Sequence, residues 1–201
     1  MIYTEPQQAR RESFHGVLDY LLHYAGSRER VLFAVPVNLA CMDISQAANE
    51  LTDIGPRMLG HRRQGQRPDK LAFHFIISWH PGDTPTGQHM IETARSALAA
   101  LGLAEHLAVA VGHLDTEKPH VHVVANVLHP ETGRAAKLGW RYRTMSRWAA
   151  TYEQQQGVIR CPKRRVPKVA NENRRRLTRT EWESRQANTK QKADNLPAPR
   201  P

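Results

Sequence analysis

Apolar and polar residues follow one another along this chain with two periods, one helical and one extended. In residues 7–25 the apolar side chains recur at helical spacing before Gly26, at Phe14, Val17, Leu18, Leu21 and Leu22. The same signals predict three further helices: 43–59 with a cap at Asp43 or Ser45, a helix ending near Gly102, and 141–156 before Gly157.

Four shorter runs are rich in β-branched residues and are predicted as strands: 31–41, 71–80, 107–114 and 120–129. Because proline cannot donate a ladder hydrogen bond, Pro36 indicates that the first strand lies at a sheet edge or carries a bulge. The last two runs are separated only by the residues DTEKP, which predicts an antiparallel hairpin.

The elements alternate as helix, strand, helix, strand, helix, strand, strand, helix. With mostly antiparallel pairing, this order predicts an α+β, two-layer domain in which helices cover a central sheet. Residues 60–70 are polar and rich in turn formers, so they are predicted as a loop. A further helix is expected within 178–192, and the last residues are expected to be unstructured.

Charge is distributed unevenly along the chain, which has a formal net charge of +10. Residues 160–201 contain 13 Lys/Arg against 4 Asp/Glu, whereas residues 1–159 contain 16 against 15. We therefore divide the chain into a nearly neutral domain, 1–159, and a basic, partly helical segment, 160–201. Such a segment suits a polyanion such as nucleic acid, although a solvated tail without a specific partner is the alternative.

Other features of the composition concern the cellular setting. No run approaches the roughly 18 apolar residues of a membrane helix, and the first residues lack the apolar core of a signal peptide. We therefore expect a cytoplasmic protein without membrane insertion. Cys41 and Cys161 provide neither a disulfide framework nor a metal-binding spacing.

Three histidines are expected to meet at one end of the predicted hairpin. Alternate residues of a strand share a face, so His120 and His122 point the same way, and His113 ends the neighbouring strand. Three imidazoles at one point outline a metal site. The alternative is a polar sheet face without a metal, since the chain contains 11 histidines.

Three neutral imidazoles would leave a divalent ion its full charge and open positions, which suits action on an anionic oxygen such as a phosphate. Imidazole favours manganese, zinc, nickel or iron over magnesium. Cellular availability favours magnesium, so magnesium or manganese is the expected cofactor. Asp115 and Glu117 are candidates for orienting a histidine or removing a proton, or else are solvated turn carboxylates.

The spacing His113-x-Asp115-x4-His120-Val-His122, followed by Asn126, resembles the third motif of conjugative relaxases of the HUH superfamily. The resemblance is greatest to the MOBP class, which includes the relaxase of IncP-type plasmids and the border-nicking relaxase of tumour-inducing plasmids. FHGVLDY at 14–20 resembles the first motif, and HFIISWHPGDTP at 74–85 resembles the second. The resemblance covers residues 10–160 in the right order.

This resemblance implies a site- and strand-specific transesterase that nicks the transfer origin of a plasmid or mobile element. It implies that Tyr20 is the nucleophile, with Tyr24 one helical turn later as the rival. The products would be a 5′-phosphotyrosine adduct and a free 3′-hydroxyl used in conjugative transfer. The implied partners are single-stranded origin DNA, accessory relaxosome proteins, and a coupling protein or secretion system.

The chemistry of such a reaction places one demand on the site. A free phenol has a pKa of about 10, so forming the phenolate at pH 7 costs roughly 4 kcal/mol. The metal or Asp115 is the candidate activator. Since one phosphodiester replaces another, no external energy source is needed, and the chain contains no nucleotide-binding P-loop motif.

Residues that would hold the DNA are less specifically indicated. By resemblance, Ser78 would hold DNA near the nick, and Asn126 would orient the site or satisfy the sheet. Single-stranded DNA is typically bound by basic grooves with aromatic platforms. The candidates, each with a solvated face as the alternative, are Arg62, Arg63 and Arg67 in the loop, Arg141 and Arg143 beside Trp140 and Tyr142, and the run Arg174, Arg175 and Arg176.

Three other functions stay open at this point. Rolling-circle replication initiators also carry the histidine pair, but their tyrosine lies downstream, as Tyr142 and Tyr152 do here. A non-haem iron oxygenase would use His113 and Asp115 as the start of its ligand triad. A non-catalytic DNA-binding module would use the metal only for structure.

Overall fold

The structure, a computed structural model, describes residues 1–6, 13–23, 31–59 (backbone alone for 55–59), 70–162 and 164. These residues belong to one compact unit, Met1–Val166. The described part contains five strands and four helices: β1 (Ile2–Thr4), α1 (Phe14–His23), β2 (Val31–Val37), α2 (Ile44–Leu59), β3 (Ala72–Ser78), α3 (Gly87–Ala100), β4 (Ala108–His113), β5 (His120–Asn126) and α4 (Arg141–Gln155).

The five strands form one sheet in the order β1-β3-β5-β4-β2, and every pairing is antiparallel. This arrangement confirms the α+β prediction, including the hairpin of β4 and β5. The strand with Pro36 is β2, which lies at one edge of the sheet and has a register irregularity between Val31 and Phe33. The opposite edge is β1, which the sequence pattern did not predict because three residues are too few to show alternation.

Side chains at the helix ends satisfy backbone groups that the helices themselves leave unpaired. Asp43 accepts a hydrogen bond from the backbone N–H of Ser45 at 2.9 Å, as expected for a residue that begins α2. Thr86 plays the same part for α3 by accepting from the N–H of His89. Beyond α4, Gly157 has a φ of 70°, the left-handed conformation that ends many helices.

Alternation along the strands divides the core into two clusters, one on each face of the sheet. Phe75, Ile77 and neighbouring residues pack with α3 and α4 on one face. Val111 and Val124 pack with α1 and α2 on the other face. Since residues two apart share a face, His113, His120 and His122 lie on the α1/α2 face, and so do the β3 residues His74, Ile76 and Ser78.

Several predictions concern residues that lie outside the described part. These are the loop at 60–69, Tyr24, and the helix expected within 178–192. Among the described residues, no helix combines the length and the apolar character needed to cross a membrane.

Candidate metal centre

Three histidines converge at the end of the β4–β5 hairpin. His113 and His120 are directly paired in the strand register, and His122 lies two residues further along β5. One nitrogen from each ring lies within 4.8 Å of the others, and the ring centroids are 4.8–5.3 Å apart. His113 and His122 are 2% and 8% exposed, so the group is shielded from water on its inner side. Such a triad could bind a metal ion, since histidine nitrogens are common ligands of divalent metals.

The hydrogen bonds of His113 and His120 fix which nitrogen of each ring carries the hydrogen. His113 Nε2 lies 3.0 Å from the carbonyl oxygen of Leu21, and His120 Nδ1 lies 3.0 Å from that of Lys118. A carbonyl can only accept, so each of these nitrogens donates. In the neutral rings the lone pairs therefore lie on His113 Nδ1 and His120 Nε2. Metal-binding histidines are typically held in this way, so the donor set fits a divalent ion.

The third ring, His122, has a different partner. Its Nδ1 lies 3.0 Å from Nε2 of His74 on β3, and the two ring centroids are 5.2 Å apart. Burial lowers the pKa of His74 to about 4, so this ring is neutral at physiological pH. Sequence reasoning missed His74. The available signal was its position four residues before Ser78 on β3, which places it on the same face.

The two candidate carboxylates differ in their relation to the triad. Asp115 Oδ1 lies 3.8 Å from His120 Nε2, in the short connection between β4 and β5. Glu117 lies in the same connection and is exposed. Within the described residues it forms no hydrogen bond or ion pair with the triad. The geometry therefore favours Asp115 over Glu117 as a group acting at this centre.

Ser78 borders the triad from the neighbouring strand. It is the last residue of β3, and its Cα pairs with that of His120 on one side and Ile2 on the other. The backbone N–H of Trp79 donates to the carbonyl of Pro119 at 2.9 Å, which extends the pairing beyond Ser78. The half-buried Ser78 hydroxyl is thus carried on the same sheet face as the histidines, one strand away.

Tyr20 lies on α1, the helix that is bonded to His113. Its ring is half-buried and packs against the cluster on the α1/α2 face, where the triad also lies. The next residue, Leu21, provides the carbonyl that accepts from His113 Nε2. The helix of the candidate nucleophile and the metal centre are therefore joined by a direct hydrogen bond.

Asn126 is not part of the triad's surroundings. It is fully buried, and its side chain donates to the carbonyl of Leu51 and accepts from the N–H of Leu128, both at 2.8 Å. It lies four residues beyond His122, roughly 13 Å away at the usual rise of a strand. Of the two roles considered for Asn126, these contacts favour satisfying the sheet, because they join β5 to α2.

The candidate DNA-binding residues lie in different environments. Arg141 forms an ion pair with Glu5, in which Nε lies 2.6 Å from Oε1, whereas Arg143 is exposed. Trp140 is 75% exposed at the start of α4, where it forms no side-chain capping bond. The remaining candidates, Arg62, Arg63, Arg67 and the run 174–176, lie outside the described residues.

The downstream tyrosines lie on the other face of the sheet from the triad. Tyr152 packs with the α3/α4 cluster, where its hydroxyl lies 2.9 Å from Trp79 Nε1 and 2.6 Å from His89 Nε2. These residues line a cavity of about 560 Å³ on that side. Tyr142 contacts Tyr3 edge-on, with ring centroids 5.8 Å apart. The sheet therefore lies between the three histidines and Tyr152. It also lies between the histidines and Tyr3, the residue that Tyr142 contacts.

The fold and the site together define an α+β domain with a three-histidine centre on an antiparallel sheet. Residues 32–158 match the family model of the MobA/VirD2-like relaxase nuclease domain. This match covers more than half of the chain, and the chain belongs to that family.

Relatives with assigned names agree with this placement. The chain is similar to Protein TraI of Escherichia coli, with 25% identity over 153 residues, which are 75% of this chain and 20% of that protein. It is also similar to Protein MobA of Acidithiobacillus ferrooxidans, with 28% identity over 81 residues, which are 40% of this chain and 20% of that protein. The chain thus spans about a fifth of the length of the relatives it matches.

Proposed function

We propose that this chain is a relaxase that nicks one strand at the transfer origin of a plasmid or mobile element, with Tyr20 as the nucleophile. The observation that carries this proposal is the hydrogen bond from His113 to the carbonyl of Leu21. It ties the helix of Tyr20 to the three-histidine centre, so the position of the tyrosine is coupled to that of the metal ligands. Membership of the relaxase family supports the same reaction.

In this reaction His113, His120 and His122 would hold a divalent ion, magnesium or manganese. The ion, when bound, supplies positive charge that draws electrons from the phosphorus and stabilises the added negative charge of the transition state. The Tyr20 oxygen attacks phosphorus, a new P–O bond forms, and the bond to the 3′ oxygen breaks. The phenol proton must leave, and Asp115 is the candidate acceptor, since it lies 3.8 Å from His120 at the edge of the centre. The 3′ oxygen gains a proton and leaves as the free hydroxyl.

Residues on both faces of the sheet are candidates for holding the substrate strand. Ser78 offers a hydroxyl one strand away from His120, in a position suited to a phosphate or sugar oxygen near the nick. Trp140 and Arg143 offer an exposed ring and an exposed charge, the combination that binds single-stranded DNA. In the cell the chain would act with accessory relaxosome proteins and a coupling protein or secretion system.

The rival functions receive less support from the geometry. A rolling-circle initiator would need a downstream tyrosine at the metal, yet the Tyr152 hydroxyl is engaged with Trp79 and His89 on the opposite face. An iron oxygenase would need Asp115 as a ligand in place of a histidine, whereas three histidines converge here. A DNA-binding module with a structural metal would form no covalent product with DNA. A covalent-adduct assay therefore distinguishes it from a relaxase.

A covalent-adduct assay tests the proposal. The protein is incubated with manganese or magnesium and tiled single-stranded oligonucleotides that cover the element encoding it, and denaturing gels detect protein–DNA adducts. We expect an adduct with one oligonucleotide, its loss in Tyr20→Phe, and unchanged binding of that oligonucleotide, because the phenylalanine ring preserves the packing but cannot attack phosphorus.

The matched control is Tyr152→Phe, which we expect to retain the adduct. If Tyr152→Phe loses the adduct and Tyr20→Phe keeps it, the rolling-circle function is favoured. An adduct that survives Tyr20→Phe but not Tyr24→Phe would move the nucleophile by one turn. If an oligonucleotide is bound but no adduct forms with either metal, the chain is a binding module and not a nicking enzyme.

A further inference from the structure

His74 on β3 is a half-buried histidine that contacts the candidate metal centre without belonging to it. Ile76 is paired with His122 in the strand register, and His74 lies two residues away on the same face of β3. This diagonal placement brings His74 Nε2 to 3.0 Å from His122 Nδ1. His122 itself is 8% exposed.

The partner of His122 differs in kind from those of the other two ligands. The carbonyls of Leu21 and Lys118 can only accept, so they determine which nitrogens of His113 and His120 are protonated. An imidazole can either donate or accept, so the contact with His74 is compatible with either tautomer of His122. Within this contact, the two tautomers of His122 require His74 to carry its own hydrogen on different ring nitrogens.

Only one of the two arrangements leaves His122 able to bind an ion away from His74. If His122 donates from Nδ1, its lone pair lies on Nε2, and the ring can ligate through Nε2. A neutral His74 must then present an unprotonated Nε2 as the acceptor and carry its hydrogen on Nδ1. In the opposite arrangement, the lone pair of His122 would lie on Nδ1 and accept a hydrogen bond from His74. Nε2 would then carry a hydrogen and could not bind an ion.

We propose that His74 is a positioning residue, whose Nε2 accepts the Nδ1–H of His122 and so holds His122 in the tautomer and orientation needed to bind the metal. This inference rests on the proposed metal-binding role of the triad. It assigns to β3 a second contribution to the site besides Ser78.

Two substitutions separate hydrogen bonding from packing. Gln at position 74 keeps an acceptor oxygen near the place of Nε2, whereas Leu fills a similar space and cannot accept. The free protein is titrated with manganese by calorimetry, without DNA. We expect His74→Leu to weaken manganese binding by about 10–100-fold, the usual effect of losing a partner of a metal-bound histidine, and His74→Gln to restore it to within a few-fold of wild type. The control is His129→Leu, which removes a half-buried histidine beyond the far end of β5.

A second measurement uses the wild-type protein and does not depend on the folding of any variant. Long-range proton–nitrogen NMR spectra of the metal-free protein report which ring nitrogens are protonated. We expect a protonated Nδ1 and an unprotonated Nε2 for His122, and an unprotonated Nε2 for His74.

The outcomes distinguish this inference from the proposed function. If wild type binds manganese and His74→Leu binds it equally well, or if Leu and Gln weaken it equally, the positioning role is wrong while the metal centre stands. A His122 ring protonated at Nε2 would also overturn it. If wild type binds neither manganese nor magnesium, the metal-binding role of the triad fails, and the inference fails with it.

Discussion

Glu153 on α4 shows how a single buried carboxylate can join distant parts of the chain. Its Oε1 accepts from the amino group of Met1 at 2.7 Å and lies 3.1 Å from Arg164 Nη1, and its Oε2 accepts from the N–H of Cys161. The side chain is 4% exposed. Burial alone would raise the pKa of this carboxyl, but the hydrogen bonds and the two positive charges outweigh burial and lower it below the ordinary value.

We expect Glu153→Gln to lower the free energy of unfolding by about 3 kcal/mol at neutral pH, because removing one partner strands buried positive charge. A carboxyl whose pKa is lowered by folding contributes stability above its unfolded pKa and loses it as the pH falls through the folded value. The difference between wild type and variant should therefore be constant near neutrality and shrink below about pH 4.5, the unperturbed value. Urea unfolding at a series of pH values measures this. A difference that does not change with pH would show that packing, and not charge, stabilises this contact.

The sequence predicted some residues of the candidate metal centre and its surroundings but not others. His120 and His122 were placed on one face because strand alternation is a rigid geometric rule, and His113 followed from the short hairpin. His74 could not be found in this way, because its contact depends on which strand lies beside β5 and in what register. The same holds for the carbonyl of Leu21, since the sequence does not say where α1 packs.

At the scale of elements, β2 and β4 approach each other closely at Gly112, where the Phe33 ring of β2 packs on the glycine. A Cβ added to this glycine would lie 2.6 Å from Cζ of Phe33, so the ring occupies the space that any other residue would need. Gly112 directly precedes His113, and its Cα pairs with that of Phe33. The absence of a side chain at position 112 therefore allows the Phe33 ring of β2 to pack over the residue that directly precedes a candidate metal ligand.

We expect Gly112→Ala to lower the free energy of unfolding by about 1–3 kcal/mol, the usual range for overpacking, because the Phe33 ring must move. The matched control is Gly139→Ala, since a Cβ at that glycine has no neighbour within 4 Å. Thermal unfolding of both variants gives the comparison. The double variant Phe33→Leu with Gly112→Ala should lose less stability than the sum of the two single changes. Strict additivity in this cycle would mean that the ring does not cause the loss.

Element boundaries were largely predictable where local chemistry sets them. The start of α2 at Asp43 and the ends of α3 and α4 before glycine depend on capping and on positive φ, which neighbouring residues determine. Pro36 indicated a sheet edge or a bulge for β2, which lies at an edge and has a register irregularity. The strand β1 was missed, because Ile2–Thr4 is defined by its pairing with β3 and not by any pattern of its own.

At the scale of the whole molecule, the metal centre joins elements that are far apart in the chain. The candidate ligands come from β4 and β5, and their hydrogen bonds extend to α1 through Leu21 and to β3 through His74. The arrangement of side chains that would bind an ion there forms only when these four elements are assembled. Metal binding and folding should therefore be thermodynamically linked.

A ligand present at 100 times its dissociation constant stabilises the native state by about 2.7 kcal/mol if the unfolded chain does not bind it. For a domain of this size, 1 kcal/mol shifts the midpoint of thermal unfolding by about 2–4 °C. We therefore expect manganese at that excess to raise the midpoint by about 5–10 °C, and EDTA to reverse the rise.

The variants His113→Ala, His120→Ala and His122→Ala should each lose most of this rise, whatever their stability without metal. The control His129→Ala should keep it, because that ring contacts His106 and Glu105 and not the triad. Differential scanning calorimetry with and without manganese gives all five comparisons. An equal rise in the triad variants and in wild type would mean that the ion binds elsewhere. The convergence of the three rings would then be a packing feature of the sheet, and the nicking reaction would need another source of positive charge.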